Sequence, residues 1–212
     1  QNIKFFGNIK FSQSESVSPT LDKNLKNFIK SKNSWCASST HYNEEKICGQ
    51  THLHLNEKYK NLLTIIIPRH INRVDTIKKE LENLKLKVHV DEPKRKISSK
   101  TDVYLVNSYG KTKLFYKECN NVFLGGSMIN RGGQNPLEAV RYGCNIFHGP
   151  NVSNFKEIYW FLKNKNLSKK VNNYKNLANL LDLTFKNKTQ PKKIKKNLYL
   201  IGKNILNKTY KE

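Results

Sequence analysis

The 212-residue chain is long enough for one large domain or two small ones, and its formal net charge of +23 favours anionic partners. The pI is about 9.9, yet lysine is spread along the whole chain with abundant asparagine and isoleucine, so the charge reads as compositional bias rather than a localised site. No apolar run approaches the ~20 residues of a bilayer-spanning helix, and no signal-peptide pattern opens the chain.

Cys36, Cys48, Cys119 and Cys144 form no Cys-x-x-Cys pair and match no zinc spacing, which predicts buried reduced thiols. The six histidines contain no His-Glu-x-x-His, and His52 and His54 fall on different faces of a predicted helix, so no metal is expected.

The chain opens at Gln1 rather than Met, which reads as a fragment or a processed chain. Residues 1–33 hold an apolar stretch, Ile3 to Phe11, a Ser-rich run from Ser12 to Thr20, and Leu21, Leu25, Phe28 and Ile29 at helical spacing. They read as the end of an upstream N-terminal domain and its linker. A Rossmann-like domain is predicted over 34–190. Its first strand carries Trp35 to Ser38, and a helix opening at Glu44 and Glu45, whose charges suit its first turn, runs to about Tyr59.

Leu63 to Ile67 is a second strand ending at Pro68, Arg69 and His70. Val74, Ile77, Leu81 and Leu84 mark a helix, Lys87 to Val90 a third strand, and Asp91 to Thr101 a loop containing Pro93. Asp102 to Asn107 is a fourth strand, followed by Tyr109-Gly110-Lys111 and a helix with Leu114, Phe115 and Cys119. Asn121 to Leu124 and Cys144 to Phe147 make two more strands, with a helix from Asn154 to Leu162 after them.

Short connections between alternating strands and helices predict an α/β fold, a parallel sheet with helices on both faces. Two C-terminal helices are predicted after Ser168, parted near Thr189-Gln190-Pro191, the last over 191–212. The basic cluster Lys192 to Lys196 suits an anionic membrane surface or a solvated helix face.

The stretch Gly125 to Glu138 organises the chain. A buried strand feeds two glycine pairs, and Asn135, Pro136 and Glu138 then suit the N-cap, first turn and capping box of a helix. A glycine-rich turn before a helix offers free N–H groups to an anion, which predicts a nucleotide-phosphate site. The spacing is neither a P-loop nor a dinucleotide fingerprint. In a parallel α/β sheet ligands sit at the carboxyl ends of strands. The turns at Ser39, Pro68 to His70, Tyr109 to Lys111, Gly125 to Glu138 and Gly149 to Asn154 should therefore converge there.

Several of these turns carry longer motifs: Gly7-Asn8-Ile9-Lys10-Phe11, Ala37-Ser38-Ser39-Thr40-His41, Glu44-Glu45, Pro68-Arg69-His70 and Phe123-Leu124-Gly125-Gly126-Ser127. Gly132-Gly133-Gln134-Asn135-Pro136-Leu137-Glu138 and Gly149-Pro150 with Asn154-Phe155 follow. In this order and spacing, from about residue 5 to 162, the chain resembles the C-terminal half of the bacterial 3-deoxy-D-manno-octulosonic acid (Kdo) transferases.

The resemblance implies the C-terminal domain of a GT-B glycosyltransferase that binds the donor CMP-Kdo without a metal or other cofactor. Transfer to a lipid A precursor would build the lipopolysaccharide inner core at the cytoplasmic face of the bacterial inner membrane. The acceptor site and the catalytic-base glutamate are implied to lie in an N-terminal domain, so this stretch alone should bind CMP and not turn over.

By the same resemblance, Pro68 and Arg69 meet CMP with the guanidinium near phosphate, and Tyr109, Gly110 and Lys111 line the nucleotide. Asn135, Pro136, Leu137 and Glu138 hold the ribose and phosphate, with Glu138 on sugar hydroxyls. Ser39, His70, Gly125, Gly126, Ser127, Gly133 and Gln134 support the site.

Asn43 departs from a common glycine, Asn107 and Lys111 from acidic residues, and Gln134 from a frequent histidine. A transferase using another nucleotide sugar is the alternative. A nucleic-acid-binding protein is disfavoured, because no recognition signature is present and the aromatics fall in the apolar stripes.

Overall fold

A computed structural model describes residues 20–92, 96–187, 191–192, 194–196, 198–200 and 203. The expected stretch at Ile3 to Phe11, the Ser-rich run before Thr20, Pro93, Thr189, Gln190 and Lys193 lie outside the described residues, as does nearly all of the last helix from residue 201 onward.

Helix α1 (Lys23–Lys30) leads into strand β1 (Asn33–Thr40), α2 (Glu44–Asn56), β2 (Leu62–Pro68), α3 (Val74–Asn83) and β3 (Val88–Val90). There follow β4 (Val103–Leu105), α4 (Thr112–Glu118), β5 (Asn121–Leu124), α5 (Leu137–Arg141), β6 (Asn145–His148), α6 (Lys156–Asn164), β7 (Ser168–Lys170) and α7 (Tyr174–Lys186). The strands form one sheet in the order β3-β4-β2-β1-β5-β6-β7, and every adjacent pair is parallel.

Burial follows from this topology. A parallel strand covered on both faces reads as a continuous apolar run, and every residue of β2 is buried. Its side chains alternate between two cores. Leu63, Ile65 and Ile67 join Cys36 beneath α1, α4, α5 and α6. Leu62 and Ile66 join Trp35 and Ala37 beneath α2, α3 and α7. Thr64 is the one polar side chain in β2, and its hydroxyl meets Nδ1 of the fully buried His52 at 2.9 Å. His54 lies on a more open face of the same helix, so His52 serves the core.

The expected α/β sheet with helices on both faces is observed, with three corrections. A seventh strand stands at Ser168–Lys170, where a helical tail was predicted. It is three residues long, only Ser168 is buried, and Lys169 and Lys170 point to solvent at the sheet edge. No alternating pattern announces so short an edge strand.

Helix α2 ends at Asn56 rather than near Tyr59. The third correction is that α1, expected with an upstream linker, packs Ile29 into the core of this sheet, as do Ile194 and Leu198 near the far end. The four cysteines are free and buried. Among the described residues no helix is long and apolar enough to cross a membrane.

The connectivity creates a crevice. The chain leaves β1 on one side to build β2, β4 and β3, then returns to its other side as β5. Loops leaving β1 and β5 therefore diverge at the carboxyl edge, where open α/β sheets bind ligands.

Candidate functional site

The crevice floor is built from two loops. The backbone enters the left-handed region at Ser39 (φ 55°), near the end of β1, and again after the strand at Asn43 (φ 71°). Asparagine tolerates this conformation best among non-glycine residues, which accounts for Asn43 at a position where glycine was the expectation. The turn delivers Glu44 and Glu45 to the start of α2 with no exposed surface.

Glu44 reaches across to the loop after β5. Its Oε2 accepts the N–H of His41 at 2.9 Å and of Gly126 at 2.7 Å. Its Oε1 accepts the N–H of Ser127 at 3.0 Å and of Met128 at 2.9 Å. Burial pushes the carboxyl upward, and these amides draw it part of the way back. Beside it, Glu45 accepts a two-pronged bond from Arg73, Nη1 at 3.0 Å and Nη2 at 3.2 Å.

This corrects the simplest reading of the glycine turn. The amides of residues 126–128 are already held by a carboxylate, so an incoming anion must find its donors elsewhere. Gly125 has a different task. A side chain there would overlap the Ser39 carbonyl and the Thr40 Cα, so only glycine lets the two loops approach. Ser127 braces the wall, its Oγ bonding the Leu124 carbonyl and accepting the Gly149 N–H at 2.8 Å. The Gly133 N–H bonds the Gly126 carbonyl at 2.9 Å, and the Gln134 carbonyl accepts the Tyr159 hydroxyl at 2.9 Å.

The rim carries the free chemistry. Pro68 is the buried last residue of β2, and the following Arg69 N–H is tied to the Thr40 carbonyl at 2.9 Å. The Arg69 side chain is exposed, and among the described residues no carboxylate neutralises it. His70 is also exposed and lies edge-on to His41, ring centroids 5.5 Å apart. Burial lowers the His41 pKa first; His70, Arg131, Arg69 and Arg73 lower it further. His41 Nε2 is buried without a hydrogen-bond partner.

On the far side, Asn135 Oδ1 accepts the Leu137 N–H at 3.1 Å, but α5 begins at Leu137 with Pro136 in the cap position, one residue later than expected, and Glu138 closes no capping box. Glu138 Oε1 faces Lys113 Nζ at 3.4 Å, each side chain about one-third exposed. That contact joins the first turns of α4 and α5, so the residues after β4 and β5 meet. Gly110 takes φ 80°, which glycine allows, and Tyr109 beside it is 64% exposed.

Lys111 is committed elsewhere. Its ammonium lies 2.6 Å from Asp91 Oδ2, and Asp91 Oδ1 also accepts the Tyr104 hydroxyl at 2.8 Å. The extra positive charge noted in the sequence is thus answered at the β3–β4 side.

Sequence reasoning missed Arg73, Arg131 and Lys113. Arg131 sits between the glycine pairs, where a basic residue was a readable signal. The Glu45–Arg73 and Lys113–Glu138 pairs join residues far apart in sequence and leave no local trace. Among the described residues no cluster of three or more His, Cys, Asp or Glu could hold a metal ion.

A parallel sheet with its switch crevice lined by a fixed floor and a cationic rim is the C-terminal domain of a GT-B glycosyltransferase. The solved C-terminal CMP-Kdo binding domain of Acinetobacter baumannii WaaA superposes with a TM-score of 0.69 and 26% identity, covering 84% of this chain and 91% of that one. A trehalose-6-phosphate synthase, OtsA, shares the fold at TM-score 0.56 and 13% identity, covering 94% of this chain and 45% of that one.

Among curated proteins, the 3-deoxy-D-manno-octulosonic acid transferase of Haemophilus influenzae is 29% identical over 164 residues, 76% of this chain and 38% of that protein. That of Rickettsia prowazekii is 30% identical over 148 residues, 68% of this chain and 31% of that protein. The chain thus spans well under half the length of these relatives. No family model matches it. The chain is similar to the C-terminal part of 3-deoxy-D-manno-octulosonic acid transferases and, in both fold and sequence, to the C-terminal domain of the Acinetobacter baumannii WaaA.

Proposed function

We propose that this chain is the donor-binding half of a Kdo transferase and holds CMP-Kdo at the carboxyl edge of its sheet. The observation that carries the reading is Arg69, an un-neutralised guanidinium beside the crevice of a domain homologous to a CMP-Kdo binding domain. A guanidinium is a fixed-charge fork suited to phosphate. In this reading Glu138, which faces a cation, accepts ribose hydroxyls, and Pro68, Tyr109, Gly110, Lys111, Asn135, Pro136 and Leu137 line the nucleotide.

Chemically, the reaction breaks the bond between the sugar's anomeric carbon and phosphate. Negative charge grows on the departing cytidylate, and cations at the rim can stabilise it without a metal. The reading places the catalytic base and the lipid A precursor on an N-terminal domain, at the cytoplasmic face of the inner membrane. It also places the basic residues near 192–196 against anionic lipid. No nucleic acid partner is invoked.

Titration calorimetry on residues 1–212 tests the donor. CMP is expected to bind at least tenfold more tightly than UDP. Tighter binding of UDP would reassign the chain to another nucleotide sugar, and binding of neither would end the reading.

Proton linkage gives a second check. The folded chain keeps His41 neutral below its ordinary value of 6.5, because burial and the surrounding cations disfavour its charge. The unfolded chain then binds more protons in that window. Stability from this group is present above about pH 6.5 and lost as pH falls through the lowered folded value. An anion bound at the rim offsets those cations and raises the His41 pKa. Binding of CMP-Kdo, whose phosphodiester has no proton to exchange in this range, is therefore expected to take up a fraction of a proton near pH 6, and none near pH 8. Heats measured in buffers of different ionisation enthalpy read this directly, and equal uptake at both pH values would refute it.

A further inference from the structure

The rim holds more positive charge than a nucleotide phosphate needs. Arg73 is spent on Glu45 and Lys113 faces Glu138. Arg69 and Arg131 are both exposed, and among the described residues neither has a carboxylate partner. They approach the crevice from opposite sides of β1, Arg69 from the end of β2 and Arg131 from the loop after β5. Arg131 lies beyond the end of β5 at Leu124, and its charge, like that of Arg69, is felt at the His41 ring, so both arginines flank the same corner of the crevice.

Arg131 is held by its backbone, which leaves the guanidinium free. Its carbonyl accepts from Asn154 Nδ2 at 3.2 Å, and its N–H bonds the Ile129 carbonyl at 2.9 Å. Gly132 and Gly133 follow at φ 77° and 74° and turn the chain back toward the floor. There the missing side chain of Gly126 leaves room for the His41 imidazole and the Gln134 amide, each 3.4 Å from where a Cβ would stand. His41 Nε2, buried and unpartnered, lies in this corner.

The chemistry of the donor supplies a second anion. An ulosonic acid carries its carboxylate on the anomeric carbon, the same carbon that bears the phosphoester. A CMP-linked acid sugar therefore presents two negative groups a few bonds apart, whereas a neutral sugar nucleotide presents no carboxylate. We propose that Arg131 forms a second anion subsite, beside the unpartnered Nε2 of His41, that receives the carboxylate of the donor sugar while Arg69 takes the phosphate. This inference rests on the donor-site reading above. It assigns Arg131 the choice of an acidic sugar over a neutral one.

The test compares CMP with CMP-Kdo as ligands of residues 1–212. Arg131→Ala is expected to weaken CMP-Kdo about tenfold and to leave CMP within about twofold, because only the sugar-bearing ligand has the carboxylate. Arg131→Lys should recover part of the loss, and Arg69→Ala should weaken both ligands. Equal weakening of both ligands by Arg131→Ala, or of neither, overturns the subsite. Failure of the unaltered chain to bind either ligand defeats the donor-site reading itself, and the subsite falls with it.

Discussion

Replacing Glu44 by alanine is expected to cost about 4 kcal/mol of folding stability, read as a lower denaturant midpoint with an unchanged slope. The change strips the acceptor from the amides of His41, Gly126, Ser127 and Met128 at once. Each becomes a buried donor with reduced satisfaction, and bonds to an ionised acceptor are among the stronger ones. Glu44→Gln is the sharper variant, since it keeps the volume. Each carboxylate oxygen accepts two N–H groups, so an amide must turn its NH2 against one pair of donors. It is expected to lose more than half as much as alanine does. A loss below about 1 kcal/mol in both variants would mean that water or a shifted loop replaces the carboxylate.

Arg69→Ala is expected to weaken CMP about 50-fold, the loss of a two-pronged, charge-assisted contact worth about 2–3 kcal/mol. Folding stability should stay within about 0.5 kcal/mol of the original, because the side chain is exposed and anchors nothing. Arg69→Lys should fall between, keeping the charge and losing the fork. If CMP binds Arg69→Ala as well as it binds the original chain, phosphate is held elsewhere on the rim.

Much of the architecture was legible because periodicity reports burial. The unbroken apolar run of β2 and the spacing of Val74, Ile77 and Leu81 on α3 both state which faces meet the core. The turn residues were legible for a related reason: Gly125 and the Asn135 side chain, which bonds the Leu137 N–H, answer local backbone demands. What stayed hidden is long-range. Glu44 reads as a favourable charge in a first helical turn, and nothing nearby says that its oxygens serve amides some 80 residues further along. Lys111 reads as a cation beside a nucleotide, and nothing near it in the sequence says that Asp91 lies beside it. Ser168–Lys170 is too short to show a pattern, and it pairs only because β6 offers it an edge.

The division between a stitched floor and a loose rim bears on how such domains diverge. Substitutions among Arg69, Arg131 and their exposed neighbours alter what is recognised and leave the support beneath intact. Changes at Glu44 or Gly125 remove the support along with everything standing on it. Replacing a rim side chain therefore costs recognition alone, whereas replacing the carboxylate underneath unties four amides at once.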